Sequence, residues 1–357
     1  MKKMIMLFMS ICLSLALISC EKSLESYEFN FYDYMDTFVS INLKASEKDI
    51  DTYKEELDDL FSTYHELTNN YETLTSDDTF LENVYTLNQK VGQKVEVDKA
   101  LFDIIYEAEE IKALTDGYFN ISIGKAVDVW KNLIETYSDE GVIPEAEYLK
   151  AVEEIQNFDF SDHEIIFEEN DGKYYIELQG NDIKLDLGAY AKGYVVQLAV
   201  DYLNEQEVEY FSISAGSSSI FVGKNTNEER DYFNIGLTCP VCSNSSTYGL
   251  IKFVENQSIT TSGNYEQFVL YNNLRYHHII SPVTLMPMQY NHSITLVSDD
   301  AGLLDALSTA LFSMPDDVLE SWMDEHQDDY QISYVKYSYD GVVTNDLLGN
   351  LEFELNE

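Results

Sequence analysis

Three short stretches of this chain carry residue types whose spacing suits chemistry on a phosphorylated ligand. The first, Ile183-Lys184-Leu185-Asp186-Leu187-Gly188-Ala189-Tyr190-Ala191-Lys192-Gly193-Tyr194, reads as a strand, a glycine turn and a helix start in one run. It gathers a carboxylate, a lysine and freed backbone amides, because a helix N-terminus leaves about four N–H groups without intrahelical partners. A phosphate can settle there with little rearrangement. No Gly-Lys-Ser/Thr follows, and the run is not a G-x-G-x-x-G turn, so it is neither a Walker loop nor the dinucleotide fingerprint.

The second stretch is Asp305-Ala306-Leu307-Ser308-Thr309, inside an apolar helix. Offsets of three and four residues put Asp305, Ser308 and Thr309 on adjoining surface. A carboxylate, a hydroxyl and a backbone carbonyl make a partial set for a hard cation such as Mg²⁺. The plainer account, a solvated Asp305 with both hydroxyls bonded to the preceding turn, is favoured on this segment alone. The third stretch, Arg275-Tyr276-His277-His278-Ile279-Ile280-Ser281-Pro282, holds two of the six histidines. A histidine at a strand end suits general-base work, since its pKa lies near working pH. Either histidine is equally compatible with a surface or satisfied core position. Upstream, Thr260-Thr261-Ser262-Gly263-Asn264-Tyr265 is a small polar turn of the kind that lets backbone approach a ligand.

Composition bounds the possibilities. The formal charge of −44, from 21 basic and 65 acidic residues, argues against nucleic acid and anionic lipid surfaces, which need clustered Lys and Arg. A dianionic ligand meets a repulsive background, so a divalent cation is expected beside it. Lys2 and Lys3 precede an apolar stretch from Met4 to Ile18, and Ser19-Cys20 follows. Fifteen residues are short for a permanent span, which needs about 20. The stretch is expected to be an export signal over residues 1–19, with Cys20 as the lipidated first residue of a membrane-anchored, extracytoplasmic protein; an ordinary secretory signal is the alternative. Residues 20–28 are expected to be a tether. Cys239 and Cys242 are then the only thiol pair of the mature chain, and a local disulfide is preferred over free thiols, with no catalytic role.

The elements that must position these groups follow from periodicity. A strand is expected over residues 29–43, and a helix over 46–64 with Ser46 as N-cap and Ile50, Tyr53, Leu57, Leu60 and Phe61 on one face. Residues 65–86 look irregular. A helix from Asp98 stops at Gly117. Residues 131–171 form an acidic excursion with a helix near 144–155. Strands are expected at 174–178, 183–187, 210–215, 220–223, 233–237, 249–253, 268–271 and 293–297, helices at 189–204, 302–313 and 315–326, and hairpins at Asn272-Asn273 and Asp340-Gly341. Mixed order with hairpins argues α+β rather than a doubly wound sheet.

Taken in order, eight segments resemble the ApbE family, the FAD:protein FMN transferases. They are Met35-Asp36-Thr37; Leu60-Phe61-Ser62-Thr63-Tyr64; Thr115-Asp116-Gly117-Tyr118-Phe119-Asn120 with Val127-Asp128-Val129-Trp130; residues 186–194; residues 216–223; Thr261-Ser262-Gly263; His278-Ile279-Ile280-Ser281-Pro282; and residues 305–311. The resemblance implies one ApbE-like domain over residues 29–357, bilobal and α+β, with mixed or antiparallel sheets flanked by helices. It implies an enzyme that takes FAD as substrate and, with Mg²⁺ (or Mn²⁺), moves FMN onto a Thr or Ser hydroxyl of a partner flavoprotein carrying an FMN-binding domain, releasing AMP. FAD hydrolysis to FMN and AMP, and flavin binding without chemistry, are the alternatives. Carried over by motif, Met35, Tyr64, Tyr118, Phe119, Asn120, Asp186, Lys192 and Ile280 would line the FAD site. Asp305 and Thr309 would hold the metal, with oxygens of Ala189 and Ser308 nearby, and His278 would be the base. The chain departs from the family at Gly216-Ser217-Ser218-Ser219, where Gly-Gly is usual, at Ser281, where Asp is common, and at Asn120, where Asp often stands.

Overall fold

The computed structural model describes residues 24–75, 79–227, 229–242, 246–345 and 347–356. The expected signal and the lipidated Cys20 lie outside the described residues. The chain opens with a hairpin of β1 (Glu25–Tyr34) and β2 (Thr37–Ala45), not the single strand expected over 29–43. Its two-residue turn, Met35-Asp36, takes φ of 52° and 55°, which matches the twist of tight hairpins. Residues 25–28, expected as tether, pair with β2 from Glu25 opposite Ala45 onward. Phe29 and Phe31 bury on one face while Glu28 and Asn30 stay exposed, the period-2 pattern that fixes register.

Helix α1 (Ile50–Thr68) starts four residues later than expected and ends four later. Ser46 does not cap it; its hydroxyl donates to Asp49 Oδ2 at 2.6 Å. A short α2 (Val84–Asn88) is closed by a reciprocal Asn83–Thr86 capping box. Then come β3 (Lys94–Val97), α3 (Lys99–Leu114), α4 (Gly124–Tyr137), α5 (Glu145–Gln156), β4 (Glu164–Asn170), β5 (Lys173–Gln179) and α6 (Ala191–Glu205). The second half holds β6 (Phe211–Ala215), β7 (Ser219–Val222), β8 (Phe233–Thr238), β9 (Thr247–Phe253), β10 (Gln257–Gly263), β11 (Phe268–Tyr271), β12 (Leu274–His277) and β13 (Asn291–Ser298). It closes with α7 (Ala301–Phe312), α8 (Asp316–His326), β14 (Ser333–Ser338), β15 (Gly341–Thr344) and β16 (Glu352–Leu355).

Eight strands form one antiparallel sheet in the order β1-β2-β6-β7-β10-β13-β14-β15, with smaller sheets β3-β5-β4, β16-β9-β8 and β11-β12. The fold is α+β, as the element order implies. Helices α6 and α7 pack on each other and on the large sheet. α7 is apolar on nearly every side and is buried accordingly. Residues 183–187, expected as a strand, run extended beside residues 121–123 through one parallel bridge, Ile123 to Lys184, rather than joining a sheet. The expected turn at 260–265 is β10 as far as Gly263.

Helix α4, half of which precedes the acidic excursion, has no counterpart among the expected elements, yet it organises a second core. Trp130 stacks on Tyr276 at 5.4 Å, its indole N–H donates to Leu285 O at 2.9 Å, and Ile134, Ile155, Val269 and Ile280 surround it. The first core joins the large sheet to α1, α3, α6 and α7. A third lies between the large sheet and β8–β9, where the expected Cys239–Cys242 disulfide is present.

Candidate active site

Where the first two cores meet, a cavity of about 650 Å³ opens. The glycine corner forms one wall. Asp186 accepts the Gly188 N–H at 2.8 Å with Oδ1 and the Asn70 amide at 2.9 Å with Oδ2, so this carboxylate orders the turn. Lys192 is the second residue of α6 and donates to Gly188 O at 3.0 Å. Helix α7 brings Asp305 and Thr309 to the same cavity.

Asp305 is 5% exposed, and its oxygens accept from Gly193 N at 2.9 Å and Ser219 Oγ at 3.1 Å. No lysine or arginine among the described residues pairs with it. Buried charges are ordinarily paired or coordinate a metal, so this carboxylate suits a cation. Gly193 is the third residue of α6, so its N–H is one of the donors that a helix start leaves without an intrahelical partner, and Asp305 satisfies it. Carboxylate, hydroxyl and carbonyl oxygens from Asp305, Thr309 and Ala189 are the hard donors Mg²⁺ prefers. No cluster of three or more His, Cys, Asp or Glu suited to a metal occurs among the described residues, and this oxygen set does not require one. Ser308, by contrast, is 1% exposed and off the cavity wall, its hydroxyl donating to Asp305 O and bonded to Ser262 Oγ at 2.8 Å.

The close approach of α6 and α7 depends on Gly193. A Cβ there would meet Ala301 O and Asp305 Cβ, both at 2.4 Å. Gly193→Ala is therefore expected to lower stability by about 2–3 kcal/mol, the scale of overpacking a tight core. Equilibrium urea unfolding checks it.

The two adjacent histidines face opposite ways, His277 ending β12 in the core and His278 lying just past the strand on the cavity. His278 opens onto the cavity, exposed along it but closely walled by protein. Its pKa is lowered from the free imidazole value chiefly by desolvation and also by Lys192, while the Gln267 backbone and Glu266 act the other way. His277 is fully buried, its Nε2 bonded to Met288 O at 2.9 Å and its Nδ1 accepting from Ile279 N at 3.3 Å. Burial lowers its pKa to about 4. The unfolded ring binds its proton near 6.5, so between these values the unfolded state holds more protons. Stability should fall by up to about 3 kcal/mol as pH drops from 6.5 towards 4. Denaturant midpoints across that range, compared with a His277→Gln variant whose curve should be flatter, measure it.

Of the other expected contacts, Met35, Tyr118, Phe119, Asn120 and Ile280 line the cavity. Met35 sits on its positive-φ turn, with its N–H bonded to His65 Nδ1 at 3.0 Å. A turn at Asp116-Gly117, both at positive φ, delivers Tyr118 to Asn120, and Asn120 Oδ1 accepts the Ser122 N–H at 2.9 Å. Tyr64 is not on the wall. It points into the core against Tyr194, ring centroids 5.4 Å apart. Because α1 runs on to Thr68, the aromatic that reaches the cavity is Tyr71, just past the helix end. Its hydroxyl accepts from Lys131 Nζ at 2.8 Å, and that ammonium lies 4.1 Å from its ring centroid, an attractive arrangement. Sequence reasoning missed both, since neither lies in a patterned segment; a correct helix end would have exposed Tyr71. Lys131 and Lys192 put two cations on the wall of a strongly acidic protein.

The sequence profile of the ApbE family matches residues 35–333. An FAD:protein FMN transferase of Klebsiella pneumoniae (strain 342) is 29% identical over 257 residues, covering 71% of this chain and 75% of the relative. One from Treponema pallidum (strain Nichols) is 28% identical over 235 residues, 63% of each chain. The crystal structure of an ApbE protein from Thermotoga maritima superposes with a TM-score of 0.71 at 22% identity, covering 90% of this chain and 97% of the other. The flavin transferase ApbE of Vibrio cholerae gives 0.69 at 20%, with the same coverage.

Proposed function

This chain belongs to the ApbE family and is an FAD:protein FMN transferase, and we propose that it transfers FMN, with Mg²⁺ bound, to a Thr or Ser hydroxyl of an extracytoplasmic flavoprotein. The observation that carries this reading is that the glycine corner, the Asp305–Thr309 face and His278 all line one cavity. Its volume falls within the range of sites that enclose a whole small ligand.

In the proposed reaction His278 takes the proton of the acceptor hydroxyl, and that oxygen forms a bond to the phosphorus of the FMN half. The bridging P–O bond breaks, and its electrons leave with AMP. A base positioned in this way contributes about 10²–10⁴ in rate. The flat faces of Tyr71 and Tyr118 suit aromatic rings of the substrate. Lys192 supplies a positive group beside the turn amides, where phosphate oxygens can be held. Asp305, Thr309 and the Ala189 carbonyl would hold Mg²⁺, which when bound offsets charge on the phosphates.

We further place the enzyme outside the cytoplasm, anchored through a lipidated Cys20. The Cys239–Cys242 disulfide supports this placement, since such bonds persist in oxidising compartments. Incubating the purified chain with FAD, Mg²⁺ and an FMN-binding acceptor domain tests the reaction. A covalently fluorescent acceptor and released AMP are expected. Free FMN with an unlabelled acceptor would mean hydrolysis, and unchanged FAD would mean binding alone.

A further inference from the structure

Glu266 and Ser217 share the cavity wall with His278 and have no part in the chemistry above. Ser217 lies on the turn between β6 and β7, and Glu266 on the segment between β10 and β11. The Ser217 hydroxyl donates to Glu266 Oε1 at 2.9 Å, joining the two loops. The next residue, Gln267, accepts the His278 N–H through its carbonyl at 3.1 Å. The carboxylate is thus held one residue from the backbone that carries the imidazole. Position 281, two residues past Ile279, offers no charge: Ser281 is 1% exposed and off the cavity wall.

We propose that Glu266, held by Ser217, is the carboxylate that positions His278 and offsets the field of Lys192, acting through the imidazole and not on substrate. The proposal rests on His278 as the base of the transfer reaction. The charged groups acting on His278 are Lys192 from α6, which disfavours the imidazolium, and Glu266, which favours it; His277 faces the core. Ser217 and Glu266 are both exposed in the open cavity, where water screens the interaction. Substrate filling the cavity displaces that water and strengthens it. The Ser217 departure from the family's glycine thereby acquires a use, since glycine has no hydroxyl with which to hold Glu266.

The test is an NMR titration of the imidazole rings of the purified chain, tractable with six histidines, with His278 assigned from the signal lost in His278→Gln. Glu266→Gln keeps the shape and removes the charge. The His278 midpoint is expected to fall by about 0.5–1 pH unit. Ser217→Ala should move it less in the same direction, and Glu266→Asp should restore part of the shift. The acidic limb of the pH–transfer profile should move with the ring. A slower Glu266→Gln enzyme whose His278 midpoint and pH profile are unchanged would overturn the proposal, because a purely structural role predicts that result. If the ring titrates as expected but no FMN is transferred, the reading of the activity fails while Glu266's effect on His278 stands.

Discussion

Asp305→Asn is expected to reduce FMN transfer by about a thousandfold or more while leaving the protein folded. The two halves of that expectation have different causes. Asn matches Asp in shape, and its remaining oxygen can still accept the Gly193 N–H that now comes to Asp305 at 2.9 Å. The new amide can donate to Ser219 Oγ, at present a donor to the carboxylate, because a hydroxyl can reverse its role. The contact between α6 and α7 therefore survives. What disappears is the negative charge, and with it the group in this buried position best suited to a divalent cation. Ala would be the poorer probe, since it strands the Gly193 N–H at a cost of about 1–3 kcal/mol. Transfer rate against Mg²⁺ concentration, with urea unfolding as the control, distinguishes the two effects. Wild-type transfer by a folded Asp305→Asn protein would remove Asp305 from the metal site.

Much of this site was legible because its residues sit at element boundaries with strong signals. The turn of Gly188, the apolar α7 with its misplaced Asp305, and the paired histidines each break a local pattern, and such breaks are where function concentrates. Sequence alone left one matter open that only packing decides. His277 and His278 are equivalent in composition, and what separates them is that His277 ends β12 in the core while His278 follows it onto the cavity. Asp186 lines the cavity and also orders the turn, through its Gly188 and Asn70 bonds. Tyr64 failed for a different reason. Propensity locates helix ends poorly, and a four-residue extension of α1 carries Tyr64 into the core and brings Tyr71 forward. The second core around Trp130 was invisible because its partners come from α4, α5 and the β11–β12 hairpin, far apart in the chain.

Replacing His278 with Ala should lower the rate of transfer by about 10²–10⁴ while changing FAD affinity far less. The asymmetry follows from its place. The ring opens onto the cavity instead of filling a core, so truncation leaves no buried void and little stability is lost. The cavity wall that would hold FAD is built from Tyr71, Tyr118, Lys192 and the glycine corner, all intact in the variant. His277→Ala is the informative contrast. Its ring packs against Phe312 at 5.4 Å and bonds to Met288 O, so its removal should destabilise the fold by about 2–4 kcal/mol and slow transfer only as far as the protein unfolds. The pH profile separates the cases further. The His278 pKa lies below that of a free imidazole, so the neutral, proton-accepting form prevails at pH 7 and wild-type transfer should decline only below pH 6.5. His278→Ala should lose that limb. A variant with a normal rate and an unaltered acidic limb would mean that another group takes the proton, and Lys192, already donating to Gly188 O, is poorly placed to do so.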